Sequence, residues 1–94
     1  MTAVVESKRL TGFDGDLKII AIITDANCAS GHTIDCNLDG TANVEKLFST
    51  AIVSTSLQNT TGTNVADCTW DNTTGVITIP TISTGVHKVI IRGY

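Results

Sequence analysis

This chain is short of several residue types that mark common classes of protein. Its 94 residues include one proline and few aromatic residues, and only 16% are charged, against about a quarter in ordinary soluble domains. Six Lys and Arg against nine Asp and Glu give a net charge of −3, which argues against a strongly basic nucleic-acid-binding protein. No apolar run approaches the roughly 20 residues that a membrane helix requires. We therefore expect neither nucleic acid nor a membrane as a partner.

The N-terminal residues also lack the basic and then apolar segments of a signal peptide, so we expect synthesis in a cytoplasm. There the three cysteines should be reduced thiols, and their odd number argues against a closed disulfide framework. Hydrophobic residues make up 41% of the chain, which is enough to build the core of one small domain.

What the chain does contain predicts an all-β fold. β-branched residues are abundant and strong helix formers are scarce, and apolar residues alternate with polar ones between turn signals. This pattern is typical of a small β-sandwich, immunoglobulin-like or jelly-roll-like, or of a barrel, with about seven short strands. We predict strands over 4–10, 17–24, 32–36, 51–57, 65–70, 76–79 and 86–92.

Some segments allow more than one interpretation. Residues 1–10 are either an N-terminal arm or an edge strand, ahead of a single β domain over 11–94. Residues 11–16 have the composition of a turn. Val44, Leu47 and Phe48 have helical spacing, so 42–48 could hold one short helical turn, or a strand that starts near Val44. The strand over 17–24 is almost continuously apolar, which predicts cover on both faces, from a second sheet or from another subunit.

Candidate sites for chemistry are few. Cys28, His32, Cys36 and Cys68 have the residue types of a zinc site. The alternative is that the cysteines are small buried hydrophobic residues, and we expect no metal or other cofactor. No known catalytic signature surrounds Cys28 and His32, and no acid–base pair is evident elsewhere. We therefore predict a protein that is not an enzyme.

Several segments together resemble a family of small β-rich proteins encoded among the structural genes of tailed bacteriophages, the capsid decoration or cement proteins. The resemblance spans roughly residues 15–93 and is one of pattern rather than of a catalytic motif. Three cysteines are a departure from it. The segments that carry the resemblance are Gly15-Asp16-Leu17-Lys18, Gly31-His32-Thr33-Ile34-Asp35, Ala51-Ile52-Val53-Ser54, the hairpin from Trp70 through Gly75-Val76-Ile77-Thr78-Ile79-Pro80, and Thr84-Gly85-Val86-His87-Lys88-Val89-Ile90-Ile91-Arg92-Gly93.

The resemblance implies a non-enzymatic virion protein on the capsid exterior, which binds the major capsid protein and bridges capsomers, often as a trimer. The apolar strands 17–23 and 86–91 favour a homo-oligomer independently, because they offer more hydrophobic surface than a small sandwich needs. An extended N-terminal arm can add a strand to a neighbour's sheet edge. The candidate capsid-binding residues are Val4, Val5, Glu6, Lys8 and Arg9.

Two other functions remain open from the sequence. One is a receptor- or glycan-binding module of a virion that uses the polar loop 58–64 and Trp70. The other is a small metal-stabilised binding domain centred on Cys28 and its potential co-ligands.

Overall fold

A computed structural model describes residues 2–94; Met1, the first residue of the predicted 1–10 segment, lies outside the described residues. The described chain forms eight β-strands and no helix. The strands are β1 (Glu6–Asp14), β2 (Leu17–Thr24), β3 (Thr33–Asp35), β4 (Ile52–Gln58), β5 (Asn64–Ala66), β6 (Thr69–Trp70), β7 (Val76–Thr78) and β8 (Lys88–Gly93).

The strands form two antiparallel sheets, which confirms the predicted all-β fold. One sheet has the order β1-β2-β8-β4-β5 and the other β3-β7-β6. Neither sheet closes on itself, so the architecture is a small open β-sandwich and the barrel alternative is wrong. Over residues 2–94 no helix is long and apolar enough to cross a membrane.

The core lies between the two sheets and follows the period of two that strands impose. Ile20 and Ile22 on β2 and Val89 and Ile91 on β8 are almost fully buried and form one cluster with Ile77 of β7. The alternate residues of β2 and β8 therefore point to the opposite face of the larger sheet, away from the second sheet. The other core residues are Cys28, Ile34, Cys36, Leu38, Leu47, Phe48, Ile52, Leu57, Cys68 and Ile79.

The first strand is longer than its composition predicts. Residues 11–14 continue β1 in register with β2, from Thr11 opposite Ile20 to Asp14 opposite Leu17. The turn contains only Gly15 and Asp16, and Gly15 has the positive φ of 62° that such a turn requires. The prediction of a turn over 11–16 was wrong because cross-strand pairing outweighs the local turn propensity of Thr, Gly and Asp.

Residues 42–48 form neither a helical turn nor a strand. Instead, the buried side chain of Asn37 donates hydrogen bonds to the Ala42 and Val44 carbonyls (3.2 and 2.8 Å) and accepts one from the Ala42 N–H (2.9 Å). The N–H of Leu47 donates to the Cys36 carbonyl at 3.0 Å. These non-local bonds replace the local hydrogen bonds of a helix and leave Leu47 in the core.

The predicted strand over 65–70 is two strands in different sheets. β5 pairs with β4 in the larger sheet, and β6 pairs with β7 in the smaller one. The chain crosses between sheets at Cys68, whose carbonyl accepts a hydrogen bond from the buried Thr55 hydroxyl at 2.9 Å. This crossing accounts for eight strands where the sequence predicts about seven.

Candidate partner-binding surface

The N-terminal segment is tied to both sheets of its own chain. The Val4 N–H donates to the Thr33 carbonyl (2.8 Å) and the Thr33 N–H donates to the Thr2 carbonyl (3.0 Å), so the segment begins beside β3. The Asp25 N–H then donates to the Val5 carbonyl at 3.0 Å. Val4 packs against the core, whereas the Val5 side chain is exposed.

The two cations of this segment, Lys8 and Arg9, point to opposite faces of β1. Arg9 shares its face with the core-facing Ile22, its partner on β2. There its guanidinium forms ion pairs with Glu6 (2.8 Å) and Glu45 (3.3 Å). The hydrogen bond to Glu6 is the main reason why the pKa of Arg9 is raised. Arg9 is thus engaged within the chain, and Lys8 is the cation left on the other face.

That other face, the outward face of the five-stranded sheet, combines aliphatic and cationic side chains. Leu10, Ala21 and Ile90 form an apolar row across β1, β2 and β8. One flanking row contains Lys8, Ile23, Lys88 and Gln58, and the other contains Gly12, Ile19, Arg92 and Ser54. We call these three rows the outer face.

The outer face differs in charge from the whole chain. Lys8, Lys88 and Arg92 give it three positive charges within a protein of net charge −3. The single acid paired at its margin is Asp14, opposite Leu17. Leu10 is 51% exposed, and Ile19, Ile23 and Ile90 are partly exposed. An apolar centre with a charged rim is the arrangement that protein interfaces adopt.

Lys88 and Arg92 are not among the candidate binding residues predicted from the sequence, which lie within residues 4–9. The signal was present in the alternation of 88–92, where Val89 and Ile91 occupy the buried positions and Lys88, Ile90 and Arg92 the outward ones. The prediction that both faces of 17–24 are covered holds for the inner face, where the second sheet packs.

The four potential zinc ligands do not form a site. Among residues 2–94 no three His, Cys, Asp or Glu side chains are arranged to hold a metal ion. The Ala29 N–H donates to His32 Nδ1 at 3.3 Å. Cys28, Cys36 and Cys68 are buried free thiols, in keeping with the alternative of small buried hydrophobic residues.

Burial also makes these thiols poor nucleophiles. It raises the pKa of Cys36 to about 12, with a further contribution from the neighbouring Asp35 carboxylate. It raises the pKa of Cys68 to about 11, against a hydrogen bond with Thr55 that lowers it, and it also raises the pKa of Cys28. All three are therefore protonated at neutral pH, whereas nucleophilic attack needs the thiolate.

The residues of the glycan-binding alternative do not share one cleft. Trp70 is partly buried against the core and lines a shallow cleft of about 430 Å³ with Thr69, Asp71 and Thr78. Residues 58–60 and 62 line a separate cleft of about 270 Å³, beside Lys88. A glycan stacked on Trp70 would therefore lie in a different cleft from one that is hydrogen-bonded by loop 58–64.

No protein-family model matches this chain, and no curated protein or solved structure matches it.

Proposed function

We propose that this protein is a non-enzymatic virion structural protein that binds the outside of a viral capsid and bridges neighbouring capsomers. The sequence pattern suggests the class of partner, the major capsid protein. The observation that carries the proposal is the outer face, where the apolar row of Leu10, Ala21 and Ile90 lies between the rows that contain Lys88 and Arg92. A face of this kind is suited to binding an acidic, partly apolar protein surface.

The location of the protein follows from this task. A decoration protein acts on the capsid exterior, where many small contacts repeated over a lattice add up through avidity. Each contact can then be weak, and a sandwich of 9.9 kDa can supply it. From the N-terminal segment we assign Lys8 to the margin of the contact, because Val4, Glu6 and Arg9 have partners within the chain.

The test is binding to preassembled shells of the major capsid protein from the same virus, followed by cosedimentation. We expect saturable binding to shells and none to free capsid subunits. Decorated shells should withstand higher temperature and stronger osmotic shock than bare ones. Equal resistance of decorated and bare shells would refute the function.

A charge-reversal pair tests the surface. Lys88→Glu combined with Arg92→Glu should abolish shell binding, because it replaces the two cations that flank the apolar row with negative charges that repel an acidic partner surface. The matched control is Lys46→Glu, a cation that is exposed outside the outer face. Full shell binding by the double variant would show that the outer face is not the capsid-binding surface.

A further inference from the structure

The free edge of β1 is an interaction surface of its own. β1 lies at the end of the five-stranded sheet, so one side of the strand has no neighbour. A register shift between Glu6 and Lys8 separates a regular portion, residues 8–14, from the irregular start. Side chains on both faces of this portion are exposed, including Phe13 at 74% and Leu10 at 51%. A long exposed edge of this kind is a template for pairing with another strand.

The hairpin turn determines which backbone groups this edge presents. In a two-residue hairpin the residues that flank the turn, here Asp14 and Leu17, exchange hydrogen bonds, and bonded pairs then alternate along the ladder. Gly12 and Leu10 therefore bond to β2. The N–H and C=O groups of Arg9, Thr11 and Phe13 point away from β2, towards the open edge.

We propose that β1 pairs with β1 of a second copy of this chain, antiparallel and about a twofold axis at Thr11. Thr11 is the midpoint of the regular portion 8–14. It is also the middle one of the three residues whose backbone N–H and C=O groups point towards the open edge. This register therefore uses every free backbone group of the regular strand and forms about six intersubunit main-chain hydrogen bonds. The contact is isologous and closes after two copies.

Side-chain complementarity supports this register. Lys8 of one copy faces Asp14 of the other, so two opposite-charge pairs form on the outward face. Arg9 of one copy faces Phe13 of the other on the inward face. The guanidinium of Arg9 stays paired with Glu6 and Glu45 of its own chain, and the aliphatic stem of Arg9 is the part that faces the exposed Phe13 ring. Leu10 of one copy faces Gly12 of the other. A Cβ atom at Gly12 would have no neighbour within 4 Å, so there is space beside it for the Leu10 side chain.

Neighbouring registers lack this complementarity. An axis at Arg9 places the two Arg9 side chains opposite each other. An axis at Leu10 places Lys8 opposite Gly12, so that neither Lys8 meets a carboxylate. An axis at Gly12 places Leu10 opposite Asp14, an aliphatic side chain against a carboxylate, and shortens the paired segment to residues 10–14. Charges on an edge strand commonly prevent self-pairing, but here their order along 8–14 favours it.

The first experiment is sedimentation equilibrium of the protein alone, without capsid, from about 10 μM to about 1 mM chain, a range suited to a small interface. We expect a reversible monomer–dimer equilibrium. Lys8→Asp and Asp14→Lys should each weaken dimerisation at least about tenfold, because each creates two like-charge contacts per dimer. The control Lys88→Asp makes the same charge change on the outward face away from the edge and should leave dimerisation within about twofold.

Mixing the two variants tests the register. An equimolar mixture of Lys8→Asp and Asp14→Lys chains should form heterodimers with at least the wild-type affinity, because both cross-strand pairs are then attractive. Failure of the mixture to associate more tightly than either variant alone would overturn the proposed register.

Amide hydrogen exchange by NMR reports on the hydrogen bonds directly. At high concentration the amides of Arg9, Thr11 and Phe13 should become protected, while those of Leu10 and Gly12, already bonded to β2, should not change. Thr11→Pro should abolish dimerisation and leave the fold intact, because its N–H makes no bond to β2. A protein that is monomeric at every concentration, a trimer, or a dimer that survives Thr11→Pro would each refute the proposal.

Discussion

Asn37 should stabilise this fold through hydrogen bonds to residues 42 and 44, beyond its own turn. Its side chain makes three hydrogen bonds, of 2.8 to 3.2 Å, to Ala42 and Val44. It is 4% exposed and has a φ of 55°, a conformation that favours glycine or asparagine. The residue thereby holds the irregular segment that places Leu47 and Phe48 in the core.

Two substitutions separate the hydrogen bonds from the backbone conformation. Asn37→Gly removes the three bonds without strain, and at about 1 kcal/mol each the loss is about 3 kcal/mol. Asn37→Ala removes the same bonds and adds about 1–2 kcal/mol of strain from the left-handed backbone conformation. Relative to the glycine variant, this strain is partly offset by about 0.4–1 kcal/mol, because alanine leaves the unfolded chain fewer conformations than glycine does. The alanine variant should therefore be less stable than the glycine variant by about 1 kcal/mol.

The assay is urea unfolding followed by the fluorescence of Trp70, the only tryptophan. Asn43→Ala, an exposed asparagine in the same segment, is the control and should change the free energy of unfolding by less than about 0.5 kcal/mol. An Asn37→Gly variant within about 0.5 kcal/mol of the wild type, or an Asn37→Ala variant more stable than Asn37→Gly, would contradict the role assigned to Asn37.

Three further predictions follow from packing, burial and buried hydrogen bonding. Gly93→Ala should cost about 1–3 kcal/mol in thermal or urea unfolding, because a Cβ there would collide with the backbone carbonyl oxygen of Ala51 and come within 2.8 Å of the Phe48 ring. Gly85→Ala, where a Cβ would have no neighbour within 4 Å, should be nearly neutral, and equal effects of the two substitutions would contradict this expectation. Because Cys36 and Cys68 keep their protons to pKa values of about 12 and about 11 when folded, and ionise near the ordinary value of 9.0 when unfolded, their contribution to stability is complete below pH 9 and is lost as the pH rises above it. A pH series of urea melts should show this decline, and native protein should resist alkylation at pH 8; rapid alkylation of the folded chain would disprove it. Thr55→Val should cost about 1–3 kcal/mol, since it strands the buried Cys68 carbonyl, whereas Thr55→Ser should retain most of the stability.

The edge of β1 and the outer face are adjacent surfaces of one sheet. Pairing of two β1 strands would join two outer faces into one continuous surface. That surface would contain two copies of Lys88 and two copies of Arg92. Such a dimer would present two capsid-binding faces on a rigid support, and the second contact would form at high effective concentration.

The sequence alone predicts the secondary structure class and the positions of most strands. The almost continuous apolar run 17–24 corresponds to β2. The β-branched, alternating segments 51–57, 76–79 and 86–92 correspond to β4, β7 and β8. These strands can be predicted because the preference for an extended, half-buried strand depends on residue types and on their spacing along the chain, and both are visible in the sequence. The same alternation distinguishes the buried Val89 and Ile91 from the outward Lys88 and Arg92.

Only the tertiary structure decides the features that depend on partners distant in sequence. Pairing with β2 extends β1 through a turn-like composition to Asp14, and the side chain of Asn37 holds 42–48 out of a helix. The chain changes sheets at Cys68 because each half of 65–70 finds a different partner strand. The two candidate binding surfaces arise in the same way. The order of strands in the larger sheet brings Lys8, Lys88 and Arg92 onto one face and leaves β1 at its edge, and strand order is a matter of long-range hydrogen bonding that no local pattern encodes.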